Sequence, residues 1–215
     1  MGTERVAVVD YLKEIPNFLA VFIFGIFFNI ASLILVDMSS TTGIEVTDLA
    51  LIFTFFTVGV LAGQLISTIF NRWFSNFQVI LTCLFILIPL ALVPVFSSNL
   101  YIFYTVYLVS GFLLGIIWIQ ASELVLKNRI KNKDSIMTIH LTFYPIAALS
   151  APLITSAIIR NGLSWRYSFY VIIFFIVLTI IRISWIKYTI FNIHIFSCNV
   201  FNNCFIIFFK ISNLR

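Results

Sequence analysis

Gly59-Val60-Leu61-Ala62-Gly63 runs on through Leu65-Ile66-Ser67-Thr68 to Arg72, and Ala147-Ala148-Leu149-Ser150-Ala151 runs on through Leu153-Ile154-Thr155-Ser156 to Arg160. The two stretches keep one register: small residue, three spacers, small residue, then Leu-Ile and two hydroxyls, then an arginine. Each lies in a long apolar segment. They lie three membrane spans apart, the second span and the fifth, so the two helices cross the bilayer in opposite directions. A duplicated three-helix unit of inverted topology is the architecture of a secondary transporter.

Composition places the chain in lipid. Of its 215 residues 61% are hydrophobic and 10% charged, and the mean hydropathy is +1.10; a soluble domain is about half apolar and a quarter charged. Six segments reach the roughly 20 apolar residues that a spanning helix needs: 17–37, 49–71, 77–97, 100–126, 135–160 and 168–186. Continuous apolar runs of this length exclude a transmembrane β-barrel, whose strands alternate. The fold class is therefore all-α, a polytopic bundle of six transmembrane helices built as two inverted three-helix repeats. Residues 1–16 form a polar N-terminal segment, 17–186 the transmembrane domain, and 187–215 an apolar tail.

The net charge of +5 reads as membrane orientation, since the basic residues sit between apolar runs. Arg5 and Lys13 precede the first span, Arg72 follows the second, and Lys127, Arg129, Lys131 and Lys133 crowd the loop after the fourth. The loop after the first span carries Asp37, Glu45 and Asp48 and no base; Asp37 is expected to end the first helix at the outer surface. The positive-inside rule puts the N-terminus and the basic loop in the cytoplasm, as expected of a multi-pass protein of a bacterial-type inner membrane. A nucleic-acid partner does not fit this alternation.

Ionisable and polar groups inside spans are costly and mark function. Glu123 near the end of helix 4 and His140 near the start of helix 5 lie at similar depth, and together they read as a proton-coupling pair. The structural alternative for Glu123 is an ion pair with Lys127 one turn on. Asn29 at the centre of helix 1, Gln120 on the Glu123 face and Tyr144 on the His140 face are the candidate substrate-binding residues. Gly59 and Gly63, Gly111 and Gly115, and Ala147 and Ala151 are the helix-packing positions, where missing bulk lets backbones approach. Gly25, Asn29 and Asp37 in helix 1 have the spacing of Gly111, Gly115 and Glu123 in helix 4. That echo is short enough to arise by convergence of small-residue packing. No catalytic constellation, phosphate loop or cofactor motif is present, so the chain does not read as an enzyme. His194, Cys198 and Cys204 have loose metal-like spacing in a Phe/Ile/Asn-rich tail, and no metal site is assigned there.

These features resemble the N-terminal half of a major facilitator superfamily transporter over about residues 17–182. Ala147-Ala148-Leu149-Ser150-Ala151-Pro152 is similar to that family's Gly-rich stretch ending in Gly-Pro, and Gly162-Leu163-Ser164-Trp165-Arg166 resembles its turn into helix 6. The family's loop motif between helices 2 and 3 is reduced to Arg72, with Asn71 in place of the acid; Arg72 remains as a gating-loop residue able to cap helix ends. Degraded motifs of this kind, with a Phe-rich helix 1 and 2, resemble the fucose-permease-like branch. The resemblance implies a secondary transporter of a small, sugar-like solute, proton-coupled as a symporter. Because the family's working unit is two six-helix halves, it also implies a missing C-terminal half or a homodimer. The tail from 183 onward, with no Gly, Pro or acidic residue, is expected to be a seventh apolar segment or out-of-frame coding of a truncated gene. The alternative from another class is a non-transporting membrane fragment or a structural or regulatory membrane partner.

Overall fold

The structure, a computed structural model, describes residues 2–70, 74–127 and 133–185, with side chains described from Glu14 onward and not for Lys133. Arg72, the central part of the Lys127–Lys133 loop and the tail 187–215 lie outside the described residues.

Helices α1 (Gly2–Thr42), α2 (Val46–Phe70), α3 (Asn76–Phe96), α4 (Leu100–Lys127) and α5 (Lys133–Arg160) are followed by α6 (Tyr167–Trp185). All six are long and apolar enough to cross a membrane. The bounds of α2 to α6 fall within three residues of those read from hydropathy. Helix α1 is the exception at both ends. It starts at Gly2 and passes through Pro16, so the N-terminal segment is helical. It also continues beyond Asp37 to Thr42, so Asp37 does not end it. The hydroxyls of Ser40, Thr41 and Thr42 bond to carbonyls one turn back, which supports a last turn of polar residues. Gly43, with φ 73°, then breaks the helix in the left-handed region that glycine reaches without strain.

The bundle is organised by two helix pairs, α2 against α4 and α1 against α5, with α3 laid on α4. Both pairs run parallel and in steady register. Along α2 and α4, Gly59 faces Leu108 and Gly63 faces Phe112, while Gly111 faces Phe56 and Gly115 faces Val60. A Cβ on any of these four glycines would collide with a facing backbone carbonyl. Along α1 and α5, a Cβ on Gly25 would sit 2.7 Å from the Ala147 Cβ and 3.0 Å from the Tyr144 carbonyl.

The inverted repeat exchanges these two pairs. It maps α2 onto α5 and α1 onto α4, so the α2–α4 seam should recur as α5–α1. Phe56 stands three residues before Gly59, and Tyr144 three before Ala147. Gly111 lies over the Phe56 carbonyl, and its counterpart Gly25 lies over the Tyr144 carbonyl. The short echo between helices 1 and 4 thus has the contact register that duplication requires, which chance small-residue packing does not impose. Burial follows the same rule. Gly59, Gly63, Ala147 and Ala151 are buried, whereas the equivalent leucines Leu65 and Leu153 are 77% and 73% exposed, facing outward from the bundle.

The turn between α5 and α6 closes as a Schellman motif. The Gly162 N–H bonds the Ile159 carbonyl at 2.9 Å and the Leu163 N–H the Ile158 carbonyl at 3.2 Å, with Gly162 at φ 70°. Trp165 is buried and donates its indole N–H to Thr41 Oγ1 at 2.8 Å. Its anchor is the end of α1.

Candidate functional site

Polar side chains gather at the end of the bundle that holds the α2–α3 and α4–α5 connections. Ser67 ends the inward face of α2, Asn76 opens α3, and Gln120, Glu123 and Lys127 succeed one another along one face of α4. Ser75 caps α3 in a reciprocal box with Gln78, which fixes the start of the helix and so places Asn76 against α4. The Gln120 amide donates to the Ser67 carbonyl and hydroxyl, both at 3.0 Å, and accepts from Asn76 Nδ2 at 2.7 Å. Asn76 Nδ2 also reaches Glu123 Oε2 at 3.2 Å. Lys127 Nζ donates to Glu123 Oε2 at 2.9 Å and to Asn76 Oδ1 at 3.1 Å. The network ties α2, α3 and α4 together. It grades from fully buried at Ser67 and Gln120 to solvent at Lys127.

Asn76 was not legible as part of a site, because a polar residue at the start of a span is expected wherever a helix meets the headgroups. Its partner Gln120 was legible as a buried polar group. Here the donor and acceptor atoms of Gln120 are engaged by protein, so a solute reaches it only if those bonds open. Glu123 adopts the helical ion pair with Lys127 that its spacing allows.

Among the described residues, the Ser67–Gln120 part of the network has no counterpart at the opposite end, where the Trp165–Thr41 bond ties the start of α6 to the end of α1. Thr155 holds the position of Ser67 and is equally buried, but its hydroxyl has no partner among the described residues. Where α4 carries Gln120, the register of the repeat puts Ile34 on α1, which cannot bond. Duplication supplied the same frame twice, and a polar lock was built on one copy.

The second candidate lies across α4. Ser122, next to Glu123 in sequence, faces the other way: its Oγ lies 3.2 Å from His140 Nε2 on α5. His140 is fully buried, and its Nδ1 has no partner among the described residues. Phe18 of α1 covers the imidazole at a centroid distance of 6.2 Å. One turn before Phe18, Glu14 is buried and accepts from Asn17 Nδ2 at 2.6 Å. The described partners of Glu123 (Asn76 and Lys127) and of His140 (Ser122) thus sit on different sides of α4.

Deeper in the bundle, Tyr144 is half-buried in an aromatic group with Trp118 (6.2 Å between ring centroids) and Phe24 (5.9 Å). Asn29, half-buried on α1, donates Nδ2 to the Gly25 carbonyl at 2.7 Å. Because Gly25 packs on Tyr144, the fold brings Asn29 within one helical turn of the Tyr144 level.

Comparison with known proteins agrees with this architecture. The chain is 29% identical over 178 residues to a "Protein TsgA homolog" of Buchnera aphidicola subsp. Baizongia pistaciae, an alignment that covers 78% of this chain and 44% of that protein. The chain thus spans less than half the length of this curated relative. The family model of the Major Facilitator Superfamily matches residues 18–190, which takes in all six spanning helices. The chain is a multi-pass membrane protein of a transporter family rather than an enzyme family: it belongs to the Major Facilitator Superfamily.

Proposed function

We propose that the six helices form one half of a proton-coupled secondary transporter for a small solute, completed by a second six-helix half or a second copy of this chain. The observation that carries this reading is the inverted repeat held in contact register, Gly25 on Tyr144 and Gly111 on Phe56, since such repeats build alternating-access bundles. The N-terminus and the α2–α3 and α4–α5 loops are cytoplasmic in this proposal, as the distribution of Lys and Arg favours.

Asn29 and Tyr144 face the solute, and their amide and phenol suit a hydroxylated, sugar-like ligand. Glu123 is the proton-responsive carboxylate. Ionised, it holds Lys127 and Asn76; protonated, it loses the ion pair and loosens α3 from α4, where the Asn76–Gln120 bond then carries most of the polar contact. Arg72 belongs to the same gating loop. His140 is a second proton carrier, set in a dry pocket where a charge would weaken the α1–α5 seam.

The test is solute-driven proton movement into sealed vesicles that hold this chain, read by an entrapped pH dye across a panel of hexoses and deoxyhexoses. Acidification that follows one solute, and that Glu123→Gln abolishes while solute binding persists, is the expected result. Solute uptake with the same pH dependence in Glu123→Gln removes Glu123 from the coupling step.

A further inference from the structure

A cleft of about 330 Å³ opens sideways between α5 and α6, lined by Ile158, Leu163, Tyr167, Tyr170, Val171 and Phe174. Its lining is almost wholly apolar over the membrane-buried turns. The two tyrosines, 48% and 44% exposed, stand at the level where the spans meet the headgroups, the usual place for tyrosine in a membrane helix.

The cleft is a product of the repeat. Its counterpart lies at the other end of the bundle, about 400 Å³, walled by Phe70 of α2, by Val79, Cys83 and Ile86 of α3, and also by Phe112, Leu113 and Ile116 of α4. Phe70 precedes Arg72 by two residues, and Ile158 precedes Arg160 by two. The walls that the two clefts share are thus a feature of the frame, while the larger one also borders α4.

Two arginines adjoin the cleft's lining residues in sequence, Arg160 two residues after Ile158 and Arg166 next to Tyr167. Arg160 ends α5 and is exposed. The Arg166 guanidinium stacks 4.8 Å from the Trp165 ring and donates Nη2 to Ser98 Oγ at 3.2 Å, while its Nε has no partner among the described residues. No acidic residue follows Asp134 in the chain. Among the described residues neither arginine forms an ion pair, Asp37, Glu45 and Asp48 at the same end included. An apolar slot that opens to hydrocarbon, with paired cations and two phenols at the headgroup level, has the chemistry of an anionic phospholipid.

We infer that the α5–α6 cleft is a binding site for one anionic phospholipid, its acyl chain against Val171 and Phe174 and its phosphate between Arg160 and Arg166. The phenols of Tyr167 and Tyr170 serve the glycerol ester region. The lipid covers the seam of a helix pair that has few polar ties of its own, and so holds α6 on the bundle.

Native mass spectrometry of the full chain, released from micelles that carry equal phosphatidylglycerol and phosphatidylcholine, tests this. The unmodified chain should retain one phosphatidylglycerol in preference to phosphatidylcholine by roughly tenfold, the order expected for two arginines near one phosphate. Val171→Trp, which fills the cleft, should lose the bound lipid. Arg160→Gln with Arg166→Gln, both outside the helix core, should keep a lipid but lose the preference for phosphatidylglycerol. Equal retention of the two lipids by the unmodified chain overturns the site, as does undiminished phosphatidylglycerol on Val171→Trp. A dimer of the unmodified chain that Val171→Trp dissolves also overturns it, by giving the cleft to a second copy.

Discussion

At the scale of single residues, Gln120 shows how one amide can decide where a bundle locks. In lipid an unsatisfied polar group has no water to turn to. Gln120 satisfies Ser67 and Asn76 at once. Gln120→Leu keeps the volume and removes the bonds to both partners. It should lower stability by about 1–2 kcal/mol, in the range of buried hydrogen bonds in membrane bundles, measured by denaturant unfolding in detergent. Thr155 is the natural control: its hydroxyl is already without a described partner, so Thr155→Val should cost little or stabilise. The sequence marked Gln120, Glu123 and His140 as expensive groups inside spans. It could not tell which neighbour each one meets, because that depends on rotation about the helix axis. Ser122 and Glu123 are adjacent yet serve α5 and α3 respectively.

At the scale of helices, small residues set the distance between axes. The four glycines of the α2–α4 seam leave no room for a methyl group against the facing carbonyls. Gly59→Ala and Gly111→Ala should each force the helices apart and cost about 1–3 kcal/mol, as overpacking does in closely packed interiors. Leu65→Ala removes far more volume from an outward position and should change stability by a few tenths at most. A similar loss for Leu65→Ala and Gly59→Ala in a thermal unfolding series would show that the seam is not where the bundle is held. The helix ends α2 to α6 were readable because hydropathy falls sharply at each loop. The extra length of α1 was not, since its first turns are polar and its last is a run of Ser and Thr, residues that favour caps in water but bond back to their own helix here.

At the scale of the whole molecule, the repeat explains more than its sequence trace. It predicts which seams recur, which leucines face outward and where the two lateral clefts open. It also isolates what differs between the copies, the Ser67–Gln120–Asn76 lock at one end against Ile34 and Thr155 at the other. The frame was legible from the matched stretches around Gly59 and Ala147. The lock was not, since Asn76 sits outside both. The chain spans 44% of its curated relative, and the proposed pathway calls for a second bundle facing this one.

The central claim is inversion: the turn after α2 and the turn after α5 are equivalent in sequence and lie on opposite sides of the membrane. Ser75→Cys and Ser164→Cys, each placed singly in a background with the native cysteines replaced, can be labelled in sealed vesicles with a membrane-impermeant maleimide. The account predicts that only one of the two is labelled from outside, and that the other reacts only after the vesicles are opened. Labelling of both from the same side of intact vesicles would contradict it.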